Sequence, residues 1–346
     1  MNVLYAPDSY GGFMSAPDAT ARFEEAAASA GLFVTGHPMS DGGEGLIDVL
    51  RAHGPVELHG FEVPGPSGDL VFATAARRKG VWWIESAEAI GLHLLSDTAM
   101  DASSFGLGQL MRQVAHTAPG PIMVGLGGTG TMDGGLGMLQ ALGFTLRDSS
   151  GWVISTPATA QDLTRVAEID GTAQIPGALI RVLCDVRTPL VDAPRLYGPQ
   201  KGLSDDAVAT CSRGLEQLCA VIGGDPTTTG GGAAGGIGFM LGAKLRAVLS
   251  PGAELMAKVT GFDGAISRAD VVVTGEGRLD ETSFGGKVVG EVHRRATTLG
   301  LPVHALVGEA AAQQASFTSI HDIGGLDVTA FDDAARRLCE TISASL

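Results

Sequence analysis

The sequence predicts an α/β protein, in which both ends of the chain build one α/β domain and the middle is inserted as a second. Three observations carry this. Apolar strand-like runs followed by segments of helical periodicity recur along the chain, the pattern of layered α/β folds. That rhythm is clean at both ends but interrupted in between by short strands broken at Pro64, Gly65, Pro66 and Gly68, which read as hairpins. Finally, 346 residues is a two-domain length at roughly 150 residues per domain. The expected partition is residues 1–57 plus 260–346 for the discontinuous domain and 58–259 for the inserted one.

The elements follow in order. Val3–Ala6 is a strand delivering the loop Pro7–Gly12, and Ser15 with Asp18 three residues on reads as a capping box opening a helix that Gly31 stops near Ala30. A strand near Leu32–Pro38 delivers Ser40–Gly45, and a second helix runs to His53. Within the inserted segment, Pro121–Val124 is a strand feeding a long glycine loop and a helix around Met138–Leu142. Ile180–Leu183 is a buried strand ending at Cys184-Asp185, Asp206–Ile222 is helical, and Pro226–Gly236 is a glycine and threonine loop. The α/β rhythm then resumes with a strand at Asp270–Thr274, a helix at Lys287–Leu299, a strand at Val303–Val307 and a final helix at Phe331–Ser343.

Composition narrows the function. Apolar residues at 45% and charged residues at 18% exclude a disordered chain, and 51 glycines without a G-X-Y period exclude collagen. A net charge of −15 repels phosphate backbones and anionic lipid, so the expected partner is a small molecule, not nucleic acid or a membrane. Four cysteines (Cys184, Cys211, Cys219 and Cys339) show neither a CxxC pair nor zinc spacing and read as inert thiols of a reducing compartment. The opening residues lack a basic n-region and an apolar h-region, and no run of 18 apolar residues occurs, so a cytoplasmic location is expected. The chain is read as a monomer or homodimer.

Five loops share one design, a strand end with several glycines and an acid or a lysine: Asp8–Gly12, Asp41–Gly45, Gly125–Gly137, Gly230–Gly238 and Gly275–Asp280. Any one of them alone reads as a tight turn. Together, at the carboxyl ends of strands in open α/β sheets, such loops converge on ligand crevices, where glycine lets backbone N–H groups face an anion. Gly125–Gly130 satisfies the dinucleotide fingerprint G-x-G-x-x-G. Asp133 at the expected helix start would repel a bare pyrophosphate, however, and fits better if a metal bridges acid and phosphate. Gly285-Gly286-Lys287 is not a Walker A motif, since Val288 follows the lysine. The strand-end acids Asp8, Asp41, Glu44, Asp133, Asp185, Glu276 and Asp280, with Lys201, Arg278 and Lys287, are the parts phosphoryl transfer needs. Carboxylates hold Mg²⁺ and orient a hydroxyl, while cations neutralise the moving phosphoryl group.

The motifs in series are Ala6–Tyr10, Ser40–Gly45, Gly125–Thr129 with Asp133–Gly135, Cys184-Asp185-Val186, Gly198–Gly202, Gly232–Gly236 and Thr274–Asp280. In this order and spacing the chain closely resembles the bacterial glycerate kinases of the first type over nearly its whole length. The resemblance implies a discontinuous Rossmann-like domain plus an inserted domain, an active site in the cleft between them, and ATP- and Mg²⁺-dependent phosphorylation of D-glycerate, usually to 2-phosphoglycerate. Assigned on that basis, Asp185 or Asp41 orients or deprotonates the substrate hydroxyl. Lys201, Arg278 and Lys287 meet the substrate carboxylate or the transferring phosphate, and Asp133, Glu276 and Asp280 hold the metal. Asp8, Ser9, Glu44, Gly127, Gly128, Thr129, Gly235 and Gly236 contact substrate or nucleotide.

The chain departs from the family pattern at Gly11, where a lysine is usual, at Thr98–Asp101, and at Ile90, Met132 and Thr188. These changes fall mostly in polar loops. They leave open a related small hydroxy acid as acceptor, or a paralogue that binds nucleotide or acid without turnover.

Overall fold

The computed structural model describes residues 1–175, 177–184, 187–311, 316–325 and 327–344. They form two compact units. The first comprises Met1–Asp41, Asp48–Gly54 and Pro251–Leu346; the second comprises Gly42–Ile47 and Pro55–Ser250. The chain therefore crosses between units twice more than a simple insertion requires, because the short stretch after Asp41 packs with the second unit.

The first unit is built on a five-stranded sheet ordered Ser319–Asp322, Val303–Ala310, Val271–Leu279, Asn2–Pro7, Phe33–Gly36. Every neighbouring pair is parallel. Numbered along the chain, the order is 2-1-3-4-5, a doubly wound Rossmann-like sheet whose order reverses between Asn2–Pro7 and Val271–Leu279. Alternate residues fill two cores, as a strand buried on both faces requires. Val3, Tyr5, Val271 and Val273 pack with Phe23, Phe331 and Leu338 from the helices Ala16–Ser29 and Val328–Ala344. Leu4, Ala6 and Val272 pack on the opposite face with Ala257, Phe262, Val288 and Val292.

The first helix starts as its sequence dictates: the Ser15 hydroxyl accepts from Asp18 N at 3.2 Å and donates to the Asp18 carboxylate at 2.7 Å. Gly31 follows in the left-handed region at φ +70°, which frees the chain to turn into the next strand.

The second unit holds a six-stranded mixed sheet ordered Val248–Pro251, Ile180–Cys184, Ile122–Gly125, Val81–Glu85, Leu70–Arg78, Glu57–Pro64. The last three strands are the expected antiparallel hairpins, and Val81–Glu85, Ile122–Gly125 and Ile180–Cys184 run parallel. Arg77 on the hairpin is half-buried, and its guanidinium lies 5.6 Å from the centre of the Trp82 ring. The long helix is Asp205–Ile222, capped by Ser204 at Ala207 N and ended by left-handed Gly223. Cys184, Cys211, Cys219 and Cys339 are buried, and among the described residues none forms a disulfide. Among the described residues no helix is long and apolar enough to cross a membrane.

Candidate active site

The first unit carries a cleft of about 790 Å³ at the carboxyl ends of its strands, beside the point where the strand order reverses. Asp8 and Ser9 enter it from the end of Asn2–Pro7. Their loop is held by Asp8 N donating to Gly275 O at 2.8 Å and by the buried ring of Tyr10. The Tyr10 hydroxyl donates to Leu306 O at 2.8 Å and lies 3.0 Å from the Tyr5 hydroxyl. Gly275 makes room for this anchor, since a Cβ there would overlap both the Tyr10 hydroxyl and the Leu306 carbonyl.

One expectation needs correction here. Gly275–Asp280 is not a loop, because the strand Val271–Leu279 continues through it. Glu276 is opposite Val307 and Arg278 opposite Glu309, so sheet pairing fixes both side chains. Backbone pairing on the Val303–Ala310 side outweighs the low strand propensity of Gly275 and Gly277. The turn begins only at Asp280, whose carboxylate accepts from Thr282 N at 2.8 Å and Thr282 Oγ1 at 2.6 Å.

The charges in this cleft are unbalanced. Asp8 is held well above the usual carboxylate range, chiefly by burial and then by the negative charge of Asp41, with Glu276 adding to the shift. Glu276 is pushed up to about 7, chiefly by burial, although a hydrogen bond with Ser283 and the charge of Lys287 pull it the other way. Its Oε1 is buried and has no hydrogen-bond partner among the described residues. Asp280 is held below its ordinary range by the Thr282 hydroxyl. Arg278 is largely exposed and makes only loose contacts, 3.9 Å to Asp280 and 3.8 Å to Glu309. Lys287 donates to Thr282 Oγ1 at 3.2 Å and immediately precedes the helix Val288–Thr298, which has no side-chain cap. The result is a concentration of acid beside two cations, Arg278 and Lys287, at the start of a helix.

The second unit collects a different set. Asp133 is fully buried, and its carboxylate accepts from Ser104 N at 2.9 Å, Ser104 Oγ at 2.7 Å, and Gly135 N and Gly137 N each at 3.1 Å. Burial still raises its pKa, against the pull of those four donors. These bonds tie the glycine loop to the start of the helix Leu136–Ala141. Lys201 is buried as well, donating to Thr131 O at 2.8 Å and Thr129 Oγ1 at 3.3 Å. Burial pulls it down to about 8, while the nearby Asp133 charge acts to raise it.

The glycines here are mostly sites of close backbone approach. A Cβ on Gly127 would meet Gly43 Cα at 2.6 Å, and one on Gly236 would meet Gly134 Cα at 2.9 Å. Gly235 presses on the backbone of Thr131 and Met132. Gly128, at φ +63°, faces Glu44: a Cβ would stand 3.5 Å from its Oε2. The fingerprint Gly125–Gly130 thus packs against the segment Gly42–Glu44.

Asp8, Ser9, Asp41, Glu276, Arg278, Asp280 and Lys287 share the first unit's cleft. Glu44, Gly127, Gly128, Thr129, Asp133, Lys201, Gly235 and Gly236 belong to the second unit. Asp185 lies outside the described residues. The sequence reading passed over several residues that shape these sites. Glu85 accepts from Gly45 N at 3.1 Å and Ile47 N at 2.5 Å, ordering the start of the helix Leu46–Ala52. Glu309, Asp322, Gly324 and Gly325 line the first cleft. Their signal was present, because Asp322–Gly325 repeats the design of an acid at a strand end followed by glycines.

A doubly wound unit whose switch-point cleft sets acids against two cations has the parts of a phosphoryl-transfer enzyme. Comparison with known proteins gives the family. Residues 3–342 match the glycerate kinase family, and the chain belongs to it. It is 32% identical to a glycerate 2-kinase of Escherichia coli K12, covering 98% of this chain and 95% of that protein. It is 35% identical to a glycerate kinase of Halalkalibacterium halodurans, over 78% of this chain and 75% of the relative. A crystal structure of a candidate glycerate kinase 2 from Salmonella typhimurium LT2 superposes with a TM-score of 0.81 at 29% identity, covering 100% of this chain and 99% of that one.

Proposed function

We propose that this protein transfers the γ-phosphoryl group of ATP to D-glycerate, giving 2-phosphoglycerate. The observation that carries the reading is the first unit's cleft, with half-buried Asp8 and buried Glu276 beside Lys287 and Arg278, in a chain of the glycerate kinase family. Phosphoryl transfer asks a protein mainly for positioning and charge neutralisation, and this cleft supplies both.

Asp41 in this cleft orients the acceptor hydroxyl and takes its proton; Asp185, outside the described residues, is the other carboxylate offered for that role. Lys287 and Arg278 neutralise charge on the transferring group. Lys201, which belongs to the second unit and is made less basic by its burial, is a further cation offered for the substrate carboxylate or phosphate. Ser9 and the backbone of the Asp8–Gly12 loop contact the substrate.

A Mg²⁺ ion fits the residues present. Among the described residues no three metal-ligating side chains form a closed cage. Mg²⁺ is commonly held by one or two carboxylates plus substrate phosphates, and the partnerless Oε1 of Glu276 is a vacant hard-oxygen donor. Glu276 with Asp8 or Asp41 would hold the ion. Asp280 fits less well, since it already caps its own turn. Asp133 spends its carboxylate on four donors inside the second unit and serves as a positioning residue for the glycine loop. When bound, Mg²⁺ would shield the nucleotide's phosphate charge.

The test is ADP release by purified protein with Mg-ATP, with and without D-glycerate. Glycerate-dependent turnover yielding 2-phosphoglycerate is expected. No stimulation from folded protein would overturn the acceptor, and a screen of other small hydroxy acids would follow.

A further inference from the structure

We propose that the first unit's cleft is the nucleotide site and that Glu309 receives the ribose hydroxyls there. This deepens the kinase reading above and rests on it. A cleft of about 790 Å³ far exceeds what a three-carbon acid fills, and lies within the roughly 300–1,000 Å³ of pockets that enclose larger organic ligands.

The phosphates must lie where the cations are, at Arg278 and at Lys287 before the uncapped start of the helix Val288–Thr298. Glu276, buried with its Oε1 unpartnered, marks the same end as awaiting a ligand or its metal. From there the cleft continues along the sheet past the end of Val303–Ala310 to the edge strand Ser319–Asp322. That stretch, away from the acids Asp8 and Asp41 on the other side of the cleft, is where the nucleoside runs.

The far end suits it chemically. Asp322 accepts from Ala310 N at 3.0 Å and Gly324 N at 2.7 Å, shaping a turn whose Gly324 and Gly325 are left-handed, with no atom of the described residues within 4 Å of where a Cβ would stand. That is an open backbone floor on which a flat base can lie. Glu309 lies between this turn and the cations: it is 61% exposed and directly cross-strand from Arg278, with its carboxylate 3.8 Å from that guanidinium, where the ribose between base and phosphates falls. A carboxylate accepts hydrogen bonds from a vicinal diol, and would repel a misplaced phosphate.

The test compares ATP with 2′-deoxy-ATP in the native enzyme and in Glu309→Gln, alongside direct calorimetric binding of ADP without glycerate. Loss of one hydrogen bond to a charged acceptor corresponds to about tenfold or more. The native enzyme should therefore show a KM about tenfold higher for 2′-deoxy-ATP, and Glu309→Gln should lose most of that discrimination while its KM for glycerate stays unchanged. Equal discrimination in both enzymes, or a shift in glycerate KM instead, overturns the ribose assignment while leaving the kinase reading intact. Failure of ADP to bind, together with absent turnover, overturns both.

Discussion

Two buried carboxylates in this molecule have opposite fates. Asp133 in the second unit is enclosed and fully provided with donors, four of them from Ser104, Gly135 and Gly137. Glu276 in the first unit is almost as buried, yet one oxygen has no partner. Burial raises both pKa values, so the shift alone does not separate them. The hydrogen-bond inventory does. A buried acid whose acceptor sites are filled holds backbone in place, whereas one left incomplete at the mouth of a cleft is ready for a ligand.

Removing the enclosed acid should have the largest effect on stability. Asp133→Ala strands three backbone N–H groups and a hydroxyl in the interior, so it should destabilise by about 3 kcal/mol or more. Thermal melting checks this. A variant that melts normally but has lost its Mg²⁺ dependence would erase the contrast between the two acids.

Glu276→Gln should do the reverse. It should leave the melting temperature close to native or above it, and lower turnover roughly a hundredfold. The sign of its pH effect also follows. Since the folded-state pKa is raised from 4.5 to about 7, the folded protein binds more protons than the unfolded chain in that window. Metal-free protein therefore loses stability as pH rises from 4.5 to 7, and the glutamine variant should lack that part of the slope. Identical pH–stability curves would show that Glu276 is better solvated than its surroundings indicate.

Lys201 sharpens the comparison from the cationic side. Held at about 8, its ammonium is lost as pH rises through that value, so turnover should fall on the alkaline side. Lys201→Met should cost roughly ten- to a hundredfold in turnover without lowering the melting temperature. Lys201→Arg, if it retains activity, should lose the alkaline limb, because arginine does not titrate there. An unchanged limb would place the titration on another group.

The smallest effect expected is that of Tyr10→Phe. It removes the donor to Leu306 O while keeping the ring on Phe331, and should cost about 1 kcal/mol in stability. Its turnover should fall only as far as Asp8 loosens. A melt identical to native would show that the ring alone anchors the loop.

Much of this was legible in the sequence. The capped first helix, the hairpins after residue 56 and the strand–helix rhythm at both ends follow from short-range preferences, which act within a few residues and so leave a local trace. The glycine loops were legible as places needing a bare backbone, because Gly235, Gly236 and Gly275 sit against another segment's main chain. What each glycine approaches was not legible, since that partner is distant in the chain. Gly275 makes room for Tyr10, 265 positions earlier, and the strand through Glu276 and Arg278 exists because Val303–Ala310 pairs with it.

The sequence by itself thus determined the α/β class, the family resemblance and the acids and cations available for chemistry. Only the tertiary structure decided which acids are satisfied and which are left wanting. It enclosed Asp133 among four donors, left Glu276 with an open oxygen, and added Glu309 and Asp322 to the cleft. Residue type fixes what a side chain can do, but solvation and hydrogen-bond partners are set by segments far apart in the chain, and they decide what it is free to do.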